Sequence, residues 1–153
     1  MKRRVYADTS VIGGWLDVEF KADSIHLFDN FIKGKDKKII SNIVLDELVK
    51  APDDIRAQLE QIPIENQEII TMNEEMETLA NQYLSENVVP LHSTEDAQHI
   101  AIATVVSANV LVSWNFKHIV NLDRIQGYNS VNIKLGYPII DIRSPKELIH
   151  YEE

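Results

Sequence analysis

An α/β fold with a mostly parallel central sheet flanked by helices is predicted by three features of this sequence. Short apolar runs alternate with longer stretches of helical periodicity, the alternation continues from Arg4 almost to the end, and no repeat or linker breaks it. The 153 residues suit a single domain spanning 1–153, and a hydrophobic fraction of 44% supplies a core for it.

Arg4 to Ala7 is an apolar run ending at Asp8-Thr9-Ser10, good N-cap residues that suggest a strand handing over to a helix. Ser24 to Lys33 carries Ile25, Phe28 and Ile32 at helical spacing, with Gly34 as the stop. Lys38 to Ser41 reads as a second strand, after which Asn42 is expected to cap a helix bearing Ile43, Val44, Leu45, Leu48 and Val49. Pro52 opens another helix through Leu59, and Glu68 to Thr71 is a short strand. Asn73 caps a helix striped with Met76, Leu79, Ala80 and Tyr83.

Thr94 to Ala108 is apolar nearly all round after its first turn, as in a helix packed on several sides, and Val110 to Ser113 follows as a strand. Ile119 to Gly136 contains one more helix, Pro138 to Ile142 a closing strand, and Ser144-Pro145-Lys146-Glu147 spells a capping box. Strands separated by helices imply parallel pairing, and in such sheets ligands collect beyond the carboxyl ends of the strands.

Cysteine is absent, which removes disulfides, zinc-thiolate sites and thiol nucleophiles, and no apolar run approaches a membrane span. A cytoplasmic protein without membrane contact is expected. Twenty-four acidic against fifteen basic residues give a net charge of -9, which repels polyanions over most of the surface. Two basic groups, Lys2-Arg3-Arg4 and Lys33, Lys35, Lys37 and Lys38 around Gly34, offer local exceptions; a solvated loop is the preferred reading of the second.

Asp8, Glu47, Asp96 and Asn115 are the candidate site. Asp8 ends a strand, where a carboxylate can cap the next helix and keep one oxygen free. Glu47 falls at the edge of an apolar arc, leans inward on a helical wheel and so requires a cation or donors, a lysine or arginine serving as well as a metal. Asp96 stands three residues after Ser93, as in a capping box, and opens an otherwise uncharged helix. Asn115 follows a strand and offers a carbonyl oxygen or simply a turn. The histidines lie at no zinc-protease spacing and read as core or surface hydrogen-bonders, with a supporting place behind the site left open for His99 and His118; Trp15 and Trp114 could stack on nucleic-acid bases, core or rim packing being the preferred reading.

The series Asp8-Thr9-Ser10-Val11, Glu47-Leu48, Asp96-Ala97-Gln98-His99-Ile100-Ala101-Ile102-Ala103 and Ser113-Trp114-Asn115-Phe116 resembles the PIN-domain family, over roughly residues 5 to 148. The pattern is most similar to the small bacterial toxin-like ribonucleases of VapC type. The resemblance implies a PIN-like, Rossmann-like three-layer fold and an endoribonuclease that uses Mg²⁺ or Mn²⁺ and leaves a 5′-phosphate and a 3′-hydroxyl. It implies Asp8, Glu47, Asp96 and Asn115 as metal ligands, with Thr9, Ser10 and Ser113 standing behind them. Asn115 departs from the aspartate many members carry there, which should weaken a second metal more than a first. Hard divalent cations prefer such oxygen donors and can activate a water for attack on phosphorus. RNA as substrate, with tRNA among the candidates, a small antitoxin protein and a homodimer are further implications.

Two rivals stand beside this reading. Phosphohydrolases of the haloacid dehalogenase type need a second aspartate two residues after the nucleophile, where this chain has Ser10. A catalytically inactive PIN-like binding or interaction domain would account for the charge of -9 and for Asn115.

Overall fold

The computed structural model describes residues 2–150. Five parallel strands stand in the order β3-β2-β1-β4-β5, where β1 is Arg3–Ala7, β2 Asp36–Ser41, β3 Gln67–Ile70, β4 Val110–Val112 and β5 Ile142–Arg143. Val5 of β1 is in register with Lys38 on one side and Val110 on the other. The chain winds outward from β1 through β2 to β3, then returns to the opposite side of β1 to add β4 and β5. The strand order therefore reverses between β1 and β4, and in open parallel sheets the carboxyl ends of the strands at such a reversal are where ligands bind.

Alternation along the strands divides the core into two layers. Tyr6, Ile39, Leu111 and Ile142 face α5 (Glu74–Ser85), α6 (Thr94–Val105) and α7 (Leu122–Lys134), packing with Leu79, Tyr83, Ile100 and Tyr128. Val5, Ala7, Ile40, Val110 and Val112 face the other way, packing with Val11, Leu27, Phe28, Ile55 and Leu148. Those partners come from α1 (Thr9–Gly13), α2 (Lys21–Lys33), α4 (Asp53–Glu60) and α8 (Pro145–His150), while α3 (Asn42–Leu48) follows β2 directly. Among the described residues no helix is long and apolar enough to cross a membrane.

Several boundaries differ from expectation for identifiable reasons. The second helix begins at Lys21, because Asp17 already starts the turn by accepting from the Lys21 amide at 2.8 Å. Ser24 lies inside that helix, fully buried, and its hydroxyl accepts from the Trp114 indole at 2.9 Å. Gly14 permits this contact, since a Cβ there would meet Ser24 Oγ at 2.6 Å and Trp114 Nε1 at 2.9 Å. Ser41 rather than Asn42 caps α3, and Asn42 instead accepts from the Met72 amide at 2.9 Å, tying α3 to the end of β3.

The last strand is only Ile142–Arg143, because the Asn129 side chain takes both backbone groups of Ile140, at 2.8 and 3.1 Å, before it can join the ladder. The sixth helix stops at Val105 when Ser107 turns left-handed (φ 56°) and the Ala108 amide reaches back to Ala103. Asn73 caps α5 and Ser144 with Glu147 forms the reciprocal box of α8, both as expected.

Several members of the basic groups are engaged within the fold. Arg3 forms a forked pair with Asp36 at 2.9 and 3.0 Å, and Arg4 another with Glu68 at 2.7 and 2.9 Å. Lys38 is not in a solvated loop: it lies on β2, 1% exposed. Because the strands are parallel, these groups gather at the amino edge of the sheet. Asp8 stands four positions after Arg4, about 13 Å of extended chain away.

Candidate active site

Asp8 sits where β1 ends beside β4, at the reversal of strand order, and is only 3% exposed. Its Oδ1 accepts from the Ser10 hydroxyl at 2.6 Å and from the Val11 amide at 3.3 Å, which is the cap of α1; its Oδ2 accepts from the Ser113 hydroxyl at 2.6 Å. Ser113 is itself buried at the end of β4, so the carboxylate bridges the crevice. These three donors leave roughly one acceptor position of a carboxylate unused. Burial pushes the Asp8 carboxyl above its ordinary range, against the opposing pull of His99 and the three donors.

Asp96 approaches from the first turn of α6 and is partly buried. The box expected between Ser93 and Asp96 does not form, because a 3-10 turn at Leu91–Ser93 gives Ser93 a ψ of 35° instead of the extended value a capping hydroxyl needs. Freed from capping, Asp96 accepts at Oδ1 from the Asn115 side-chain amide at 3.2 Å. Burial raises its pKa, the nearby His118 and His99 lower it, and the negative charges of Asp8 and Glu95 raise it further. Asp8 and Asp96 therefore feel each other through the same low-dielectric region.

Asn115 does not offer a free carbonyl oxygen. Its Oδ1 accepts from the amides of Lys117 and His118 at 3.2 and 3.0 Å, which uses both lone pairs and turns its NH₂ towards Asp96. The residue thus holds a carboxylate in place as a donor. Its own amide donates to Ser113 Oγ at 2.9 Å, linking it through that hydroxyl to Asp8.

Glu47 is exposed on α3 and does not lean inward as the helical wheel suggested. Of the three expected carboxylates, the structure gathers Asp8 and Asp96; among the described residues no three His, Cys, Asp or Glu side chains converge into a ready metal cage. The acid nearer to Asp96 is Glu95, which sequence reasoning passed over. It faces His99 Nε2 at 3.7 Å and senses the charge of Lys50. His99 is a core residue, its Nδ1 sharing a 2.6 Å bond with the buried Tyr6 hydroxyl, which in turn meets Ser41 Oγ at 2.8 Å. A histidine four residues after an acid on a helix was the available signal.

A rim of basic side-chain types was also missed. Lys117, Arg124 and His92 all bear electrostatically on His118, and His118 on Asp96. The residues come from separate parts of the chain, so only the run Lys117-His118 was visible beforehand.

The donor set fits a divalent cation that keeps much of its water, since magnesium commonly meets a protein through one or two carboxylates. Asp8 and Asp96 have no Lys or Arg ion-pair partner among the described residues, and burial penalises the charge of both. Beside them the Thr9 hydroxyl and His118 Nδ1 are buried without partners, which a hydrated ion would relieve.

Fold and site together define a doubly wound parallel α/β domain with acidic side chains at its switch point. A chain of the complex "VapBC2 from Rickettsia felis bound to a DNA fragment from their promoter" superimposes with a TM-score of 0.57 at 15% identity, over 92% of this chain and 98% of that one. A chain of DNA-bound VapBC from Salmonella typhimurium gives 0.54 at 18% identity, over 95% and 99%. No protein-family model matches the sequence, and no curated protein matches it. The chain is thus similar in fold, over most of its length, to chains of these VapBC complexes.

Proposed function

We propose that this chain is a metal-dependent endoribonuclease, the toxin of a toxin–antitoxin pair. The observation that carries the reading is Asp8: a buried carboxylate at the switch point, fixed by three donors yet without a Lys or Arg partner among the described residues. A charge kept out of water without a cation is costly, and such residues concentrate where function demands them.

In this reading Asp8 and Asp96 hold Mg²⁺ or Mn²⁺, and the ion supplies positive charge to the phosphodiester and acidifies the attacking water. Ser10 and Ser113 lock Asp8 in one orientation. Asn115 does the same for Asp96 while its backbone keeps Ser113 in register. The rim of Lys117, Arg124 and His92 meets the RNA backbone, which offsets the repulsion expected of a chain with net charge -9. Both VapBC complexes are toxin–antitoxin assemblies bound to DNA, and their fold likeness supports a small antitoxin as this chain's partner too. A homodimer and a cytoplasmic location belong to the same proposal.

The test is cleavage of a mixed pool of tRNA and structured RNA with Mg²⁺ or Mn²⁺, comparing wild type, Asp96→Asn and an EDTA control. Cleavage that needs both metal and Asp96 is the expected result; none in either metal, from folded protein, defeats the reading. The exposure of Glu47 favours a second possibility, an interaction domain without catalysis. In that case millimolar Mn²⁺ leaves the thermal midpoint unchanged, whereas an intact site binds the ion and raises it.

A further inference from the structure

Beyond the carboxyl ends of β4 and β5 lies a cavity of about 660 Å³, lined by Phe20, Trp114, Phe116, Glu19, Asp23 and Lys146 among others. It opens on the α2 and α8 side of the sheet, directly beside the acidic crevice. Trp114 joins the two, for its amide donates to Ser10 Oγ at 2.8 Å and Ser10 donates to Asp8. Its ring is held from behind by Ser24 and lies against Phe20, centroids 4.2 Å apart and planes 15° from parallel. Phe116 tilts over both rings at 6.3 and 6.2 Å and remains 50% exposed.

A rigid aromatic wall with one half-exposed ring is the kind of surface on which an unstacked base settles. The polar rim narrows the choice. Glu19 and Asp23 bring carboxylates, which accept from N–H groups, and Lys146 brings a donor. Three acids, counting Glu147, against Lys146 and Arg143 make the cavity unattractive to a phosphate. Among the bases guanine presents adjacent N–H donors on one edge and O6 and N7 acceptors on another.

We infer that this cavity receives an unpaired guanine of the RNA, next to the phosphodiester held at Asp8 and Asp96, and so sets sequence preference. The inference rests on the ribonuclease reading for its substrate, but base binding is measurable without cleavage.

The experiment titrates short single-stranded RNAs, one carrying a single guanine among uridines and one all uridine, into Asp96→Asn protein with Mg²⁺, following tryptophan fluorescence. The guanine oligomer is expected to bind more tightly. Phe116→Ala, at a half-exposed position that should leave the fold intact, weakens it about tenfold, the range of one base–aromatic stack. Asp23→Asn weakens the guanine oligomer and leaves the uridine one unchanged.

Equal affinities for the two oligomers, no binding of either, or indifference to Phe116→Ala would each overturn the inference. So would RNA binding unaffected by Phe116→Ala while capture of a co-expressed antitoxin-like protein is lost, because the cavity would then be a protein-docking face. Guanine-selective binding without any cleavage by the wild type would defeat the nuclease reading and leave the base pocket standing. Cleavage that ignores Phe116→Ala and the position of guanine would do the reverse.

Discussion

Asp8 and Lys38 are both charged side chains taken out of water on neighbouring strands, yet the protein surrounds them in opposite ways. Asp8 receives two hydroxyls and an amide and has histidine and a second carboxylate near it. Lys38, in register with Val5 about 10 Å back along the sheet, has its ammonium 5.5 Å from the centre of the Phe28 ring and is shifted by burial alone. The donors around Asp8 favour its ionised form against a burial that opposes it, and no Lys or Arg among the described residues pairs with it. Among the described residues nothing comparable surrounds Lys38, so its burial is a cost of the fold borne back along the sheet from the chemistry. Substitutions at the two positions should therefore separate activity from stability.

The largest effect belongs to the acidic side. Asp8→Asn keeps the shape and removes the charge, and cleavage should fall about a thousandfold, equivalent to roughly 4 kcal/mol of transition-state stabilisation. Lys38→Met should leave the cleavage rate within about twofold, since it lies in a different part of the sheet. A large loss of rate in Lys38→Met, measured on RNA at saturating Mg²⁺, would break the comparison.

Stability should respond the other way. Burial lowers the Lys38 pKa to about 7, against about 10.4 in an unfolded chain. The folded state then binds fewer protons than the unfolded state between those values, so this group's penalty is complete below pH 7 and fades as pH rises towards 10.4. Lys38→Met should be more stable than wild type at pH 6, by roughly 2–5 kcal/mol, and denaturant titrations should show the gap narrowing by pH 9. A gap independent of pH would mean that Lys38 is not paying for a buried charge.

Asp8 carries a penalty of the same origin. Its folded pKa is raised, so the folded state holds the proton longer as pH climbs and the cost grows from about pH 4 up to the folded pKa, then stays. Asp8→Asn should consequently melt higher than wild type at pH 7 without metal, and the order should reverse or close when Mn²⁺ is added to the wild type. Removing the Ser113 hydroxyl tests the support instead. Ser113→Ala deletes a bond to the carboxylate and one from the Asn115 amide, and metal affinity should drop about tenfold, read by calorimetry.

The two regions were unequally legible in the sequence. Asp8 was visible because an apolar run stopped at three capping residues, a purely local signal, and the parallel sheet and its carboxyl-end crevice followed from the alternation of elements. Lys38 was hidden inside a run of lysines that looks solvated. Its inward face becomes apparent only when β1 fixes the register of β2 and Arg3 neutralises Asp36. The capping box at Ser93 was misread for a related reason: residue types were right, but a preceding 3-10 turn set the wrong ψ. Asn115 was found by position, while its role as donor to Asp96 depends on two backbone amides claiming its oxygen, which no spacing rule conveys.

Glu47 is where the comparison can be sharpened most finely. Its helix spans only Asn42–Leu48, and a seven-residue helix with Leu45 and Val49 exposed has no settled apolar arc, so the wheel that turned Glu47 inward carried little information. An exposed side chain held by no hydrogen bond among the described residues must be ordered before it can coordinate, so it contributes less to a metal site than Asp8 does. Glu47→Gln should weaken metal affinity about tenfold or less, against a far larger loss for Asp8→Asn. A loss in Glu47→Gln equal to that of Asp8→Asn would show that the side chain swings onto the ion when it binds, making the site a three-carboxylate one assembled by its metal rather than by the fold.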